Sequence, residues 1–277
     1  MCRLMGFASA TSRSLTEIVG PEQASTFQQL GSVHRDGWGT AWLEGAGVPG
    51  IVDSVRRTAV GSGDAELTGA IRGSVSRSEI FHLRWASPGL PVQVENNHPF
   101  TADGLAFAHN GNITPLEPLR ELLDEESAAG LNGVTDSEMY FALIRQRVRE
   151  GLELEDAVVR VVTELREIYP RSSLNGLLLT PDRLIAISAS AKPRASNTLR
   201  GKVMPAEAAI PKDHLDNYYD FWMLRGQDSI AFSSSGIDNE GWEQLRNCVT
   251  VVDLDTLDTR VRDLNLQSAG IVGEAGL

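Results

Sequence analysis

From Arg3 to Ser9 almost every position is apolar or small, without the polar face of an amphipathic helix, and the run reads as a buried strand. Leu15 to Leu30 follows as a helix with Pro21 near its middle or at a restart. Gly37 to Leu43 reads as a second strand, Glu44 to Gly50 as a Gly-rich turn, and Ile51 to Val60 as an edge strand. Ile80 to Ser87 and Leu105 to Ala108 are further strands, separated by a loop carrying Pro88, Pro91 and Pro99. Helical spacing then takes over in Leu116 to Glu126, Asp136 to Glu150 and Leu154 to Ile168. In the last of these, Leu154, Ala157, Val158, Val161, Val162, Leu165 and Ile168 form one stripe that needs a sheet to cover.

Leu174 to Leu179 and Leu184 to Ser188 flank the turn Thr180-Pro181-Asp182-Arg183, and Ser229 to Ser233, Cys248 to Leu254 and Thr259 to Leu264 supply later strands. Strands, then helices, then strands predict an α+β chain with segregated layers rather than βαβ alternation. Ala189 to Tyr218 has no period and reads as a mobile surface loop or a functional flap. Gln267 to Leu277 reads as a flexible tail, leaving residues 2–266 as a single domain.

Charge narrows the choice of partners. Lys plus Arg number 25 against 37 Asp plus Glu, a net charge of -12 that repels phosphate backbones and anionic lipid, so neither nucleic acid nor membrane is expected as a partner. No apolar run approaches the roughly 20 residues of a spanning helix. The stretch Leu4 to Ala10 is too short and poorly flanked for a secretory signal, which points to a cytoplasmic location. Two cysteines, Cys2 and Cys248, make no disulfide framework and no Cys-x-x-Cys. His34, His82, His98, His109 and His214 lack ligand spacing, so neither a metal nor a cofactor is expected.

The chemistry begins at Cys2. With the preceding Met removed, its own α-amine, of pKa about 7.7 to 8.0, would lie beside a thiol of about 8.5 and could serve as its general base. Taken alone, a structural thiol explains Cys2 as well. Four further groups follow. In Val33-His34-Arg35-Asp36-Gly37-Trp38-Gly39, two glycines permit a tight turn into a strand. In Phe81-His82-Leu83-Arg84-Trp85-Ala86-Ser87, Arg84 offers a planar fork suited to a carboxylate, or else a structural ion pair. Asn97-His98-Pro99-Phe100 leads to Phe107-Ala108-His109-Asn110-Gly111-Asn112-Ile113, where the Asn110 amide and the Gly111 N–H could converge as an oxyanion hole, or simply make a turn. Thr135-Asp136-Ser137-Glu138 is a capping-box arrangement that leaves Asp136 available to an ammonium group.

In order and content these segments resemble the class II glutamine amidotransferases, over about residues 2 to 190. The match lies in Met1-Cys2-Arg3-Leu4-Met5-Gly6-Phe7, His34 to Gly39, His82 to Ser87, His109-Asn110-Gly111 and Thr135 to Glu138. The resemblance implies the four-layer αββα sandwich of the N-terminal-nucleophile hydrolases. It implies Cys2 as nucleophile, Asn110 and Gly111 as oxyanion donors, Arg84 on the substrate α-carboxylate and Asp136 on its α-ammonium. Trp85 and Ser87 would line the pocket, with His98 and His109 as supports behind it. The implied reaction is hydrolysis of a γ-glutamyl amide, glutamine or a conjugate, through a γ-glutamyl thioester.

The opening Cys2-Arg3-Leu4 departs from the Cys-Gly-Ile of the large fused synthases. It is closer to small freestanding members such as the ergothioneine-pathway γ-glutamyl hydrolases. A glutaminase subunit delivering ammonia to a separate synthase, and a non-catalytic glutamine-binding subunit, stand as alternatives. The aromatic group Tyr218, Tyr219, Phe221 and Trp222 matches no motif, and either covers the pocket or packs the core.

Overall fold

In the computed structural model, residues 2–43, 52–73, 75–87, 89–191 and 217–266 are described. The apolar run after Cys2 becomes the strand Arg3–Arg13 (β1), buried from Arg3 through Ser9. A strand buried on both faces has to be internal to its sheet and covered above and below. Leu15–Val19 (α1) and Pro21–Gln29 (α2) follow, then Trp38–Leu43 (β2), Val52–Arg57 (β3), Ala65–Gly73 (α3) and Ser76–Leu83 (β4). Phe100–Ala102 (β5), Leu105–Gly111 (β6), Glu117–Glu121 (α4), Glu125–Ala129 (α5), Asp136–Arg149 (α6) and Leu154–Ile168 (α7) come next. Leu174–Leu179 (β7), Arg183–Ser188 (β8), Phe221–Arg225 (β9), Ser229–Ser234 (β10), Glu243–Leu245 (β11), Cys248–Asp253 (β12) and Thr259–Asp263 (β13) complete the order.

The strands make two antiparallel sheets, in the orders β11-β9-β10-β1-β4-β2-β3 and β13-β12-β8-β7-β6-β5. Strand alternation assigns each residue a layer. Leu4 and Ala8 of β1 and Ile80 of β4 face the second sheet, meeting Ala106 and Ala108 of β6 and Leu177 and Leu179 of β7. Met5, Phe7 and Phe81 point the other way and are covered by Leu15, Phe27, Leu67 and Ile71 of the first three helices. On the outer face of the second sheet, Phe107, Leu178 and Ile185 pack beneath Tyr140, Leu143, Val158, Val161 and Leu165 of α6 and α7. The result is helix, sheet, sheet, helix: the αββα sandwich.

The local departures from expectation have physical causes. Gly20, at φ 84°, closes α1, and Pro21 restarts the chain as α2, so of the two places its position allowed, Pro21 takes the restart. Leu116 to Glu126 likewise splits, because the Asp124 side chain caps the Ser127 N–H and starts α5. The strand expected over Ile80 to Ser87 begins earlier, at Ser76, and stops at Leu83, leaving Arg84 just beyond its end. The strand at Leu105 runs on through Asn110 and Gly111, so this Asn-Gly pair is no turn. Short α3, β5, β9 and β11 carry too few residues for a readable period.

One polar pair interrupts the apolar interlayer. His82, two residues beyond Ile80 on β4, lies with its ring centroid 4.0 Å from that of His98, and His98 in turn packs on Phe100. Burial holds both imidazoles well below the ordinary histidine range, reinforced by Arg84 at His82 and by His82 itself at His98. Both rings therefore stay neutral in the fold, while the unfolded chain takes up protons as the pH falls through about 6.5. Native stability should thus fall between pH 7 and pH 5, by up to about 1.4 kcal/mol per pH unit for each ring. Urea unfolding at the two pH values checks this, and His98→Phe should lose part of the slope; an unchanged slope in that variant would place the acid sensitivity elsewhere.

Candidate active site

Pairing of β1 with β4 begins at Arg3 opposite Leu83, and pairing with β10 begins at Met5 opposite Ser233. Cys2 thus lies one residue beyond the last ladder contact with β4 and three beyond the last with β10. It is nonetheless 6% exposed, because other groups close around it. Its N–H donates to Asn110 Oδ1 at 3.2 Å, and its Sγ lies 3.8 Å from the Trp85 carbonyl. Asn110 stands on β6 two residues after Ala108, on the face turned toward the first sheet. The backbone N–H can only donate, so the Asn110 amide is oriented with its oxygen toward Cys2. Its Nδ2 is buried without a partner.

Two constraints fix the end of β6. Ser173 Oγ donates to the Asn110 carbonyl at 2.8 Å. A Cβ on Gly111 would collide with the Ser173 carbonyl oxygen and His109 Nε2, so no larger residue fits there. Asn175, opposite Asn110 in the ladder, accepts from the Ala189 N–H at 2.8 Å and donates to the Tyr219 carbonyl at 2.7 Å.

Arg84 is held by the turn that precedes β2. Its N–H donates to the Gly37 carbonyl at 2.8 Å, its carbonyl accepts from the Asp36 N–H at 3.0 Å, and the Ala86 N–H donates to Asp36 Oδ2 at 2.7 Å. Gly37 sits at φ 128°, which side chains rarely adopt, so the glycine is required for this hook. The guanidinium is buried, with Nη2 donating to the Pro91 carbonyl at 3.2 Å and Nη1 left without a partner. Burial pulls its pKa down, opposed by the charges of Cys2, Asp36 and Asp136. These four groups therefore share one electrostatic neighbourhood.

Asp136 opens α6. The Thr135 hydroxyl accepts from the Glu138 N–H at 3.2 Å, but the Glu138 carboxylate turns to the N–H groups of Asn132 and Gly133, so the expected capping box is only half made. The Asp136 carboxylate accepts from Ile113 N–H at 2.6 Å and Ser137 N–H at 2.9 Å, and its remaining lone pairs can take further donors. His109 ties this helix start to β6. Its Nε2 faces the Ser173 carbonyl at 3.0 Å and so carries the proton, and Nδ1 accepts from Ser137 Oγ at 2.9 Å. Burial lowers the His109 pKa, and Asp136 opposes the shift.

Of the expected residues, Cys2, Asn110, Gly111, Arg84, Asp136 and His109 therefore gather at one end of the interlayer. The Trp85 carbonyl joins them at the thiol, and its ring lies 5.9 Å from that of His34. Ser87 is half-buried and closes a turn with the Leu90 N–H. His98 packs against His82 rather than on β6. His214 and the stretch 192–216 fall outside the described residues. One participant was missed, Arg3, which beside Cys2 meets Tyr218, a member of the aromatic group left open between pocket and core. The available signal was a charged residue at the start of a run that is otherwise entirely buried.

Comparison with known proteins bears on the family and the fold. A family model described as class-II glutamine amidotransferases matches residues 1–246. The glutamine–fructose-6-phosphate aminotransferase of Pseudomonas syringae pv. tomato is 31% identical over 189 residues, 67% of this chain and 28% of that enzyme. The chain thus spans under a third of this curated relative's length. Among solved structures, a glutamine aminotransferase class-II domain protein from Silicibacter pomeroyi superposes with a TM-score of 0.60 at 19% identity, over 95% of this chain and 99% of the other. The glutamine phosphoribosylpyrophosphate amidotransferase of B. subtilis does so at 0.61 and 14% identity, over 96% of this chain and 50% of the other. With its αββα layers and the family model matched over most of its length, the chain belongs to the class-II glutamine amidotransferases.

Proposed function

We propose that this chain hydrolyses a γ-glutamyl amide, glutamine or a γ-glutamyl conjugate, with Cys2 as nucleophile, and that residues 2–266 form the single domain that does so. The observation that carries the reading is a pair of buried donors, Asn110 Nδ2 and Arg84 Nη1, left without acceptors around one thiol. An unsatisfied buried donor costs about 1–3 kcal/mol, so two at one site mark where a ligand supplies the acceptors.

On this reading the substrate α-carboxylate meets Arg84 and its α-ammonium meets Asp136, which leaves the distal amide at Cys2. With residue 1 removed, the freed α-amine takes the thiol proton, and sulfur attacks the amide carbon. The C–S bond forms as the carbonyl π pair moves to oxygen, where Asn110 Nδ2 and the Gly111 N–H stabilise it. The ammonium returns its proton to the leaving nitrogen as the C–N bond breaks. Water then attacks the thioester, releasing glutamate and restoring the thiol. Cys2 and Cys248 are both free thiols, which suits a cytoplasmic location where thiols stay reduced. Delivery of the ammonia to a separate synthase uses the same steps. Assaying glutamine and bulkier γ-glutamyl amides, with and without co-purified proteins, separates the two uses.

Active protein should have the intact mass of a chain beginning at Cys2. Cys2→Ala should abolish turnover with folding intact, and Asn110→Ala should lose about 10²- to 10³-fold in kcat. Full activity in protein that retains Met1, or in Asn110→Ala, would overturn these assignments.

Arg84→Lys keeps the charge but not the two-point geometry. Its KM for the glutamyl substrate should rise sharply, as steady-state kinetics would read; a normal KM would make Arg84 structural.

A further inference from the structure

Arg3 is a charged group at this site that the reaction above leaves unused. It is fully buried in β1. Its Nε donates to the Cys2 carbonyl at 2.6 Å. Nη1 donates to the Ser235 carbonyl at 2.8 Å, to Ser235 Oγ at 2.6 Å and to the Tyr218 carbonyl at 3.1 Å, and Nη2 donates to that same Tyr218 carbonyl at 3.1 Å. The guanidinium carbon sits 3.9 Å from the centroid of the Tyr218 ring. Every acceptor here is neutral. A cation buried among carbonyls and an aromatic face is expensive to desolvate, and a surface position would avoid that cost.

What the arrangement achieves follows from where the ladders stop. Beyond Met5 on one side and Arg3 on the other, no strand pairing holds the chain. Ser234 extends the hold by one residue, accepting from the Leu4 N–H at 3.0 Å and donating to the Leu4 carbonyl at 3.3 Å. Cys2 is past even that, and with residue 1 removed it would be an end of the kind that frays. Asn110 grips the nitrogen on one side of the Cys2 Cα, and Arg3 grips the carbonyl on the other. Together they fix the direction of the Cα–Cβ bond, and with that bond fixed the contact of Sγ with the Trp85 carbonyl at 3.8 Å selects the rotamer of the thiol.

We propose that Arg3 is a positioning residue for the reaction, its forked grip on the Cys2 carbonyl, Ser235 and Tyr218 holding the thiol in attacking geometry. The proposal rests on the reading of Cys2 as nucleophile. A lysine cannot reproduce the grip, because an ammonium on a flexible stem is a point donor.

The test uses Arg3→Lys and Arg3→Met in the full chain, with two readouts. In steady-state kinetics kcat should fall about 10²-fold in both, the scale set by a displacement of about 1 Å, with KM unchanged. With cysteine labelled at Cβ, the carbon resonance of Cys2 should move to a rotamer-averaged value while that of Cys248 stays in place. Recovery of kcat in Arg3→Lys, or a lost kcat with the Cys2 resonance unmoved, would overturn the proposal. Should both variants fail to fold, Ser235→Ala removes one acceptor of the fork; a smaller fall in kcat with unchanged KM supports the proposal, and wild-type kcat overturns it. The resonance of Cys2 does not depend on turnover. A wild-type chain that hydrolyses no γ-glutamyl amide would sink the functional reading, while the resonance still decides the role of Arg3.

Discussion

The hydrogen bond from the Cys2 N–H to Asn110 Oδ1 joins the first residue before one sheet to the inner face of the other. Its length depends on how far apart the sheets stand and on their registers. Both are set by the apolar packing between the sheets, where Leu4 and Ala8 meet Ala108 and Leu177. Slipping β6 by one residue would turn Asn110 to the helical side and His109 to the thiol. The registers are protected by positions where a side chain has no room, as at Gly111 and Gly176 of the second sheet and Gly6 of the first. The juxtaposition of Cys2 and Asn110 is thus inherited from the sandwich, whereas Arg84 is held by a turn.

Around the thiol the usual accounting of polar groups is inverted. Most buried polar atoms among the described residues find partners nearby: Glu138 satisfies two loop N–H groups, and Arg166 caps the carbonyls that follow α7. At the site, by contrast, the Asn110 amide spends its oxygen on the Cys2 N–H and holds back its Nδ2, and the Arg84 guanidinium spends Nη2 on the Pro91 carbonyl and holds back Nη1. The parts already spent supply the orientation, so the donors held back are aimed before any ligand arrives. Such preorganisation avoids the reorganisation that flexible donors would need during reaction.

Much of this was legible in the chain. The stripe of α7 and the strands β7 and β8 announce themselves by period and by the turn between them. The site residues were legible as types in order, because Arg84, Asn110 and Asp136 each sit where an element ends or starts. Less legible was the state of Asn110-Gly111, since the same dipeptide marks a hairpin turn or, as here, the last rungs of a strand whose partner lies more than sixty residues away. Arg3 was hidden for a related reason. A cation in a buried strand contradicts the apolar pattern, and its acceptors at Tyr218 and Ser235 are brought to it only by the fold.

Asn175 has a separate consequence for how this domain can diversify. One side chain clasps the chain at Ala189 and again at Tyr219, tying two points distant in the sequence to one rung of β7. The entropy of closing a loop grows only slowly with its length, about 0.6 kcal/mol per doubling. Sequence can accordingly be inserted, deleted or exchanged between the two clasped points without disturbing the strands that carry Cys2 and Asn110. A change of length or composition between those two points thus leaves the setting of the thiol as it is.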